Sequence, residues 1–253
     1  ADHCQESVKN RVPLQPASRN IIARFTICYD KYARILQIML KTTNSRQEII
    51  KAAGLLAAQG MLPATSGNLS MREAGSVEFS ITLSGKSKAN LTEADFIELN
   101  IAEANSQVLK LASAETALHQ QLYQFSNKIN CVFHTHSINS VLMSKLYPQE
   151  IRLENYELLK AFAGNTTHQC LEIIPVFANS QKIESLAKTV AAYMTNNPHI
   201  RAYVIAGHGL YIWGETQAET LRHIEALETL FEIELRYSSI TKGNTDDSCK
   251  NIF

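Results

Sequence analysis

Strand-length and helix-length segments take turns along this sequence, and that alternation restricts the fold more than any other feature. "SVEFSITLSG" alternates apolar and polar residues with a period of two and closes on Gly85, as a half-buried strand does. "RQEIIKAAGLLAAQG", "SAETALHQQLYQF" and "SQKIESLAKTVAAYM" instead carry apolar residues at helical spacing. A long helix starts near Thr216, where Thr216 and Glu219 have capping-box spacing and Leu221, Ile224, Leu227, Phe231 and Leu235 share a face. Between the helices lie the strand-like runs "CVFHTH", "LEIIPVF", "AYVIAG" and "GLYIW". No internal repeat breaks the series, so a layered α/β domain is expected rather than a helical bundle or a β-sandwich.

Residues 46–242 are expected to form this domain. Residues 1–45 read as an N-terminal extension with a helical segment at about 20–40, and residues 243–253 as a flexible tail. The segment "NIIARFTICYDKYARILQIML" contains Arg24, Asp30, Lys31 and Arg34, so it is neither a signal-peptide core nor a membrane span. Lys plus Arg and Asp plus Glu both number 24, so no net field draws the chain to nucleic acid or an anionic membrane. The five cysteines are scattered and form no C-x-x-C pair, which argues against a disulfide framework and points to a cytoplasmic setting.

Two histidines stand one residue apart in "CVFHTHS". On a strand, side chains alternate across the sheet, so His134 and His136 share one face while Cys131 and Phe133 occupy the other. Two converging imidazoles suit one tetrahedral divalent ion, and a catalytic site of that kind takes a third protein ligand. "AGHGLYIWG" offers His208 between Gly207 and Gly209, where the backbone can bend and approach closely. His119 and His223 sit within helical patterns, and His3, His168 and His199 lie in polar loop or tail sequence.

Two turns have the composition of an anion-binding nest: "PATSGNLS" at 63–70 and "LSGKSK" at 83–88, the second with Lys86 and Lys88 nearby. They suggest a phosphorylated small molecule, although ordinary glycine turns have the same composition. "GKS" at 85–87 is not the end of a Walker motif, because Ser80 stands where its first glycine belongs. No dinucleotide fingerprint or nucleophile elbow occurs. Glu115 and Glu157 are the carboxylates placed to move a proton near a metal; a first-turn helix charge and a solvated helix face are their plain alternatives.

Taken together, "GMLPATSGNLSMR", "ITLSGKSKANLT", "SAETALHQQLY", "CVFHTHSINSVLMS", "ENYELLKA" and "AGHGLYIWGETQAETLRHIEALE" resemble the class II aldolase and adducin-like family, in its methylthioribulose-1-phosphate dehydratase branch. The likeness runs in order from about Arg46 to about Arg236. It implies a three-layer α/β/α fold around a mainly antiparallel sheet, assembled as a homotetramer with sites between subunits. It also implies one Zn2+ per subunit, or another divalent ion, on His134, His136 and His208, with the substrate phosphate near Gly67, Asn68, Ser84, Gly85 and Ser113. The aldolases of the family point to Glu115 as acid/base and the dehydratase branch to Glu157, which is favoured here with Glu115 as the alternative.

The implied partner is a small phosphorylated ketose. The implied reaction is a metal-dependent dehydration of 5-methylthioribulose 1-phosphate to 5-methylthio-2,3-dioxopentyl 1-phosphate, a step of methionine salvage. A sugar-phosphate aldolase or epimerase of the same family is the alternative enzyme, and a non-catalytic scaffold the alternative of another kind.

Overall fold

A computed structural model describes residues 44–102 and 112–247. Residues 1–43 of the expected N-terminal extension, with its helix at about 20–40, and the last residues of the tail lie outside that range. Helix α1 occupies residues 44–58. The strands β1 (Asn68–Met71), β2 (Glu78–Thr82) and β3 (Phe96–Asn100) follow, then α2 (Thr116–Phe125), β4 (Cys131–Thr135) and α3 (Ile138–Leu146). The chain continues through β5 (Glu150–Glu154), β6 (Leu171–Phe177), α4 (Ile183–Asn196), β7 (Ala202–Ile205), β8 (Gly209–Gly214) and α5 (Gln217–Asp247).

The strands form one sheet in the order β3-β2-β1-β4-β8-β7-β6-β5. Every pairing is antiparallel except β6 with β7, which α4 joins as a crossover. Apolar side chains of α1, α3 and α5, among them Ile49, Met143 and Leu227, pack with Leu69, Cys131 and Phe133 in one core. Those of α2 and α4, such as Leu118, Leu122 and Val190, pack with Val132, Tyr203 and Tyr211 in a second. Strand alternation divides the two cores, so the fold is the expected α/β/α sandwich.

Three strands were not apparent in the sequence; one of them, β3, follows directly on the capping-box segment at Thr92–Asp95. β1 lies inside the stretch read as a turn, and its polar Asn68 and Ser70 are both buried, so it shows no apolar alternation. β5 is a short edge strand in which buried Ile151 and Leu153 alternate with charged residues, and it went unassigned in the sequence. At the C-terminus, α5 continues to Asp247, into the stretch read as tail. No helix among the described residues is long and apolar enough to cross a membrane.

The start of α3 follows directly on the histidine strand, and a buried acid anchors it. Ser137 caps the helix by accepting the Ser140 backbone N–H at 3.1 Å, and its hydroxyl lies 2.5 Å from Oε1 of Glu228 on α5. Burial pushes the Glu228 carboxyl up to about 7; the Ser137 hydroxyl and Asn139 act against the rise, while the Glu232 charge adds to it. Glu225, Glu228 and Glu232 line one cavity with Ser137 and Asn139.

Between the ordinary value of 4.5 and about 7 the native protein therefore holds a proton that the unfolded chain has released, so stability falls as pH rises through that window. Glu228→Gln should stabilise the protein by on the order of 2–3 kcal/mol at pH 8 and leave it nearly unchanged at pH 4. Urea unfolding at the two pH values checks this.

Candidate metal centre and anion cavity

Sheet register places the first residues of the site. Asn68 on β1 pairs with His134 on β4, and His134 pairs with Tyr211 on β8, so the three stand in a row across neighbouring strands. Side chains in such a row point to one face. His134 is fully buried there. Its ring stacks on Tyr211 with centroids 4.1 Å apart, and its Nδ1 lies 3.0 Å from the Leu210 carbonyl. An Nδ1–H donated to that carbonyl leaves the Nε2 lone pair free for a cation.

His136 follows the end of the strand, where its backbone N–H donates to the Met61 carbonyl at 2.8 Å. His208 sits in the β7–β8 turn. Gly207 takes a left-handed φ of 65° there, and a Cβ on Gly209 would lie 2.1 Å from the Thr135 carbonyl oxygen. A side chain at either position would strain or displace the turn that carries His208. Gly67 meets the same limit from the other side, since its Cβ would fall 2.7 Å from the His134 carbonyl oxygen.

The three imidazoles converge. Nε2 of His134 lies 2.9 Å from Nε2 of His136 and 3.3 Å from that of His208, and the three offered ligand atoms are all within 4.8 Å of one another. Tetrahedral nitrogen ligands about 2.1 Å from an ion stand roughly 3.4 Å apart, so the separations fit one divalent metal. Burial lowers His134 to about 3 and His136 to about 4, each further depressed by the neighbouring histidines and partly restored by Glu115. Both therefore present neutral imidazole, the form that ligates metal. Among the described residues this is the one cluster of such groups that could hold an ion.

Glu115, immediately before α2, reaches the same nitrogens. Its Oε1 is 3.0 Å from His208 Nε2 and its Oε2 is 3.3 Å from His134 Nε2. Burial acts to raise its pKa, but His134, His208 and the Asn68 amide outweigh it and hold the carboxyl below the usual carboxylate range. Asn68 Nδ2 donates to Glu115 Oε2 at 2.7 Å, and the Tyr211 hydroxyl donates to the same oxygen at 3.1 Å.

Behind Asn68 stands His119, set aside in the sequence as a helical histidine. It is fully buried and bonded through Nε2 to Asn68 Oδ1, with Nδ1 2.7 Å from the Ser70 hydroxyl, which itself meets Tyr123 at 2.7 Å. Burial lowers His119 to about 3, so the ring is neutral and has one N–H. With that proton on Nε2, the chain Tyr123, Ser70, His119, Asn68, Glu115 has every donor aimed toward the carboxylate, and it fixes the Asn68 amide. Only its burial and α2's packing on the sheet reveal this role; helical spacing hides it.

A cavity of about 300 Å³ opens beside the histidines. Gly67, Asn68, Ser84, Gly85 and Ser113 all line it, together with Glu115, His136 and His208, so the structure gathers both glycine turns and two of the three imidazoles around one space. Lys88, noted in the sequence beside the second turn, also lines it, as does the Asn179–Gln181 loop after β6, which the sequence did not single out. Glu157 does not. It opens a short 3-10 turn (Glu157–Ala161), is 71% exposed, and pairs with Lys160, which lowers its pKa, with His168 nearby.

The sequence pattern described as the Class II Aldolase and Adducin N-terminal domain matches residues 47–235. A methylthioribulose-1-phosphate dehydratase from Pseudomonas fluorescens is 43% identical over 195 residues, covering 77% of this chain and 93% of that protein. The enzyme of the same name from Methylococcus capsulatus is 41% identical, covering 77% and 95%. Among solved structures, L-fuculose-1-phosphate aldolase from Thermus thermophilus superposes with a TM-score of 0.61 at 26% identity, over 77% of this chain and 95% of that one. Fold, sequence pattern and relatives agree, and the chain belongs to the class II aldolase and adducin family, in the branch whose curated members are methylthioribulose-1-phosphate dehydratases.

Proposed function

We propose that this chain is a metal-dependent lyase that dehydrates 5-methylthioribulose 1-phosphate to 5-methylthio-2,3-dioxopentyl 1-phosphate, with zinc as the ion, in cytoplasmic methionine salvage. The observation that carries the reading is the convergence of three imidazole nitrogens and one ionised carboxylate beside a cavity that two glycine turns also line. High identity to curated dehydratases over most of both chains supports the choice of reaction. Residues 46–242 are the proposed catalytic domain, with 1–45 as an extension and the C-terminal residues as a tail.

His134, His136 and His208 are the proposed ligands. A divalent ion held there would supply Lewis acidity to stabilise the negative charge that develops as the C3 proton leaves. Gly67, Asn68, Ser84, Gly85 and Ser113 hold the phosphate through backbone N–H groups and short polar side chains. Glu115, ionised and oriented by Asn68 and Tyr211, takes the C3 proton and returns it to the C4 hydroxyl as that group departs as water. The enol left across C3 and C4 then tautomerises to the 2,3-dione, and the sum is loss of one water.

Glu157 is the second candidate for this proton. Its exposure beside the exposed Leu158 favours a role only if a neighbouring subunit carries it into a site. The proposed homotetramer would provide such neighbours, and Ile138, Leu142 and Leu146 give α3 an exposed apolar face on which subunits can associate. An aldolase or epimerase is the alternative reaction, supported by the likeness to the fuculose-phosphate aldolase structure. The completeness of the histidine set argues against a non-catalytic scaffold.

Chelation tests the metal dependence. Stripping the ion should reduce consumption of 5-methylthioribulose 1-phosphate by roughly 1,000-fold or more, given the several kcal/mol a Lewis acid supplies, and stoichiometric zinc should restore it. Turnover that survives complete removal of metal would refute the reading.

A further inference from the structure

We infer that Lys88 is the fixed cation of the anion cavity: its ammonium clamps the two glycine turns together and pairs with the phosphate of the bound substrate. This rests on the proposed phosphorylated ketose for the identity of the ligand, but not on the reaction performed. Lys88 begins a short 3-10 turn (Lys88–Asn90) and is 2% exposed. Its Nζ donates to the Thr65 carbonyl at 2.9 Å and to the Lys86 carbonyl at 2.8 Å. Thr65 belongs to the turn before β1 and Lys86 to the turn after β2, so one ammonium ties together the two segments with nest composition.

The bonds to carbonyls do not neutralise the charge. Among the described residues no carboxylate lies within ion-pair distance of Lys88, whereas Lys86 in the same turn is committed to Asp95 at 2.9 Å. Desolvation lowers the Lys88 pKa, and no acidic neighbour opposes it. A buried ammonium without a counter-ion is costly and is rarely kept unless something anionic joins it. The side chain lines the same cavity as Gly67, Asn68, Gly85 and Ser113, and its charge is felt at His136, so a phosphate seated among those groups lies within its field. An ammonium has three donors, and two are used, which leaves one for a phosphate oxygen.

The arrangement also separates phosphorylated from unphosphorylated ketoses. A dianion meets a matching charge in the cavity, whereas a neutral hydroxymethyl group leaves that charge unpaired. Because the phosphate stands away from the reacting C3 and C4, the interaction is equal in ground and transition states and shows in KM rather than kcat.

The test uses the full-length, zinc-loaded protein with inorganic phosphate as probe and chloride at matched ionic strength as control. Phosphate should raise the melting temperature of the wild type, and phosphorus NMR titration should give a dissociation constant that Lys88→Gln weakens by roughly 10- to 100-fold, the worth of a charge-assisted bond. Lys88→Arg, which keeps the charge, should retain most of the binding, and this shows that a loss in Lys88→Gln is not general damage to the fold. With 5-methylthioribulose 1-phosphate, Lys88→Gln should raise KM by a similar factor at little changed kcat. Wild-type phosphate affinity in a folded Lys88→Gln, or loss in Lys88→Arg equal to that in Lys88→Gln, would overturn the inference. The phosphate titration needs no turnover, so an enzyme that bound phosphate through Lys88 but failed to dehydrate the ketose would count against the proposed reaction alone.

Discussion

His134→Ala should yield a folded protein that no longer retains stoichiometric zinc and has lost turnover by at least about 1,000-fold, the scale of a Lewis acid's contribution. His134 stands in the middle of the constellation, 2.9 Å from His136 and 3.3 Å from His208 through the same nitrogen, so its removal takes away the ligand the other two share as neighbour. It is also the ligand whose orientation is most firmly set, by the Leu210 carbonyl and by the Tyr211 ring. Loss of an outer partner of a ligand commonly costs 10- to 100-fold in metal affinity, and loss of the ligand itself costs more. The vacated space lies in the α2/α4 core, so a modest loss of stability, about 1–3 kcal/mol, should accompany the metal loss. Metal analysis after dialysis, with thermal unfolding of the metal-free proteins beside it, separates the two effects. Stoichiometric zinc in a folded His134→Ala would refute the ligand assignment.

Glu115→Gln should behave differently: zinc stays bound, KM changes little, and kcat falls by roughly 100- to 10,000-fold, the range of a positioned acid/base group. The amide preserves the shape and can still accept from Asn68 and Tyr211, but it cannot take a proton from carbon. Glu157→Gln, on an exposed residue paired with Lys160, should leave kcat within a few-fold of wild type if Glu115 does the work. The reverse pattern would move the proton transfer to Glu157, and a mixed oligomer of Glu157→Gln and His134→Ala subunits that recovers activity would then show that it arrives from a neighbour.

The histidine pair was legible because strand alternation is a strict geometric rule: β4 ends at Thr135, and His134 and His136 converge as the period of two requires. His208 was legible from its glycines: Gly209 approaches the β4 backbone too closely to carry a side chain, and Gly207 takes a left-handed φ. The five residues expected around the phosphate all line one cavity because β1 and β2 are neighbours in the sheet. Tertiary contacts concealed the rest. His119 has the spacing of any helical residue, and only the packing of α2 on the sheet aims it at Asn68. The Asn179–Gln181 loop is polar sequence like many others until the β6–β7 crossover brings it to the cavity. Glu157 carried a residue type and a resemblance but no local rule that fixes where a side chain on a short 3-10 turn points.

Product identity tests the central claim most directly. Zinc-loaded protein should be incubated with 5-methylthioribulose 1-phosphate and the mixture followed by phosphorus and proton NMR. Dehydration predicts one phosphorylated product, the 2,3-dione, which retains the methylthio group and the whole carbon chain, with no aldehyde released. Cleavage between C3 and C4, giving dihydroxyacetone phosphate and a methylthio aldehyde, would contradict the account and make the chain an aldolase.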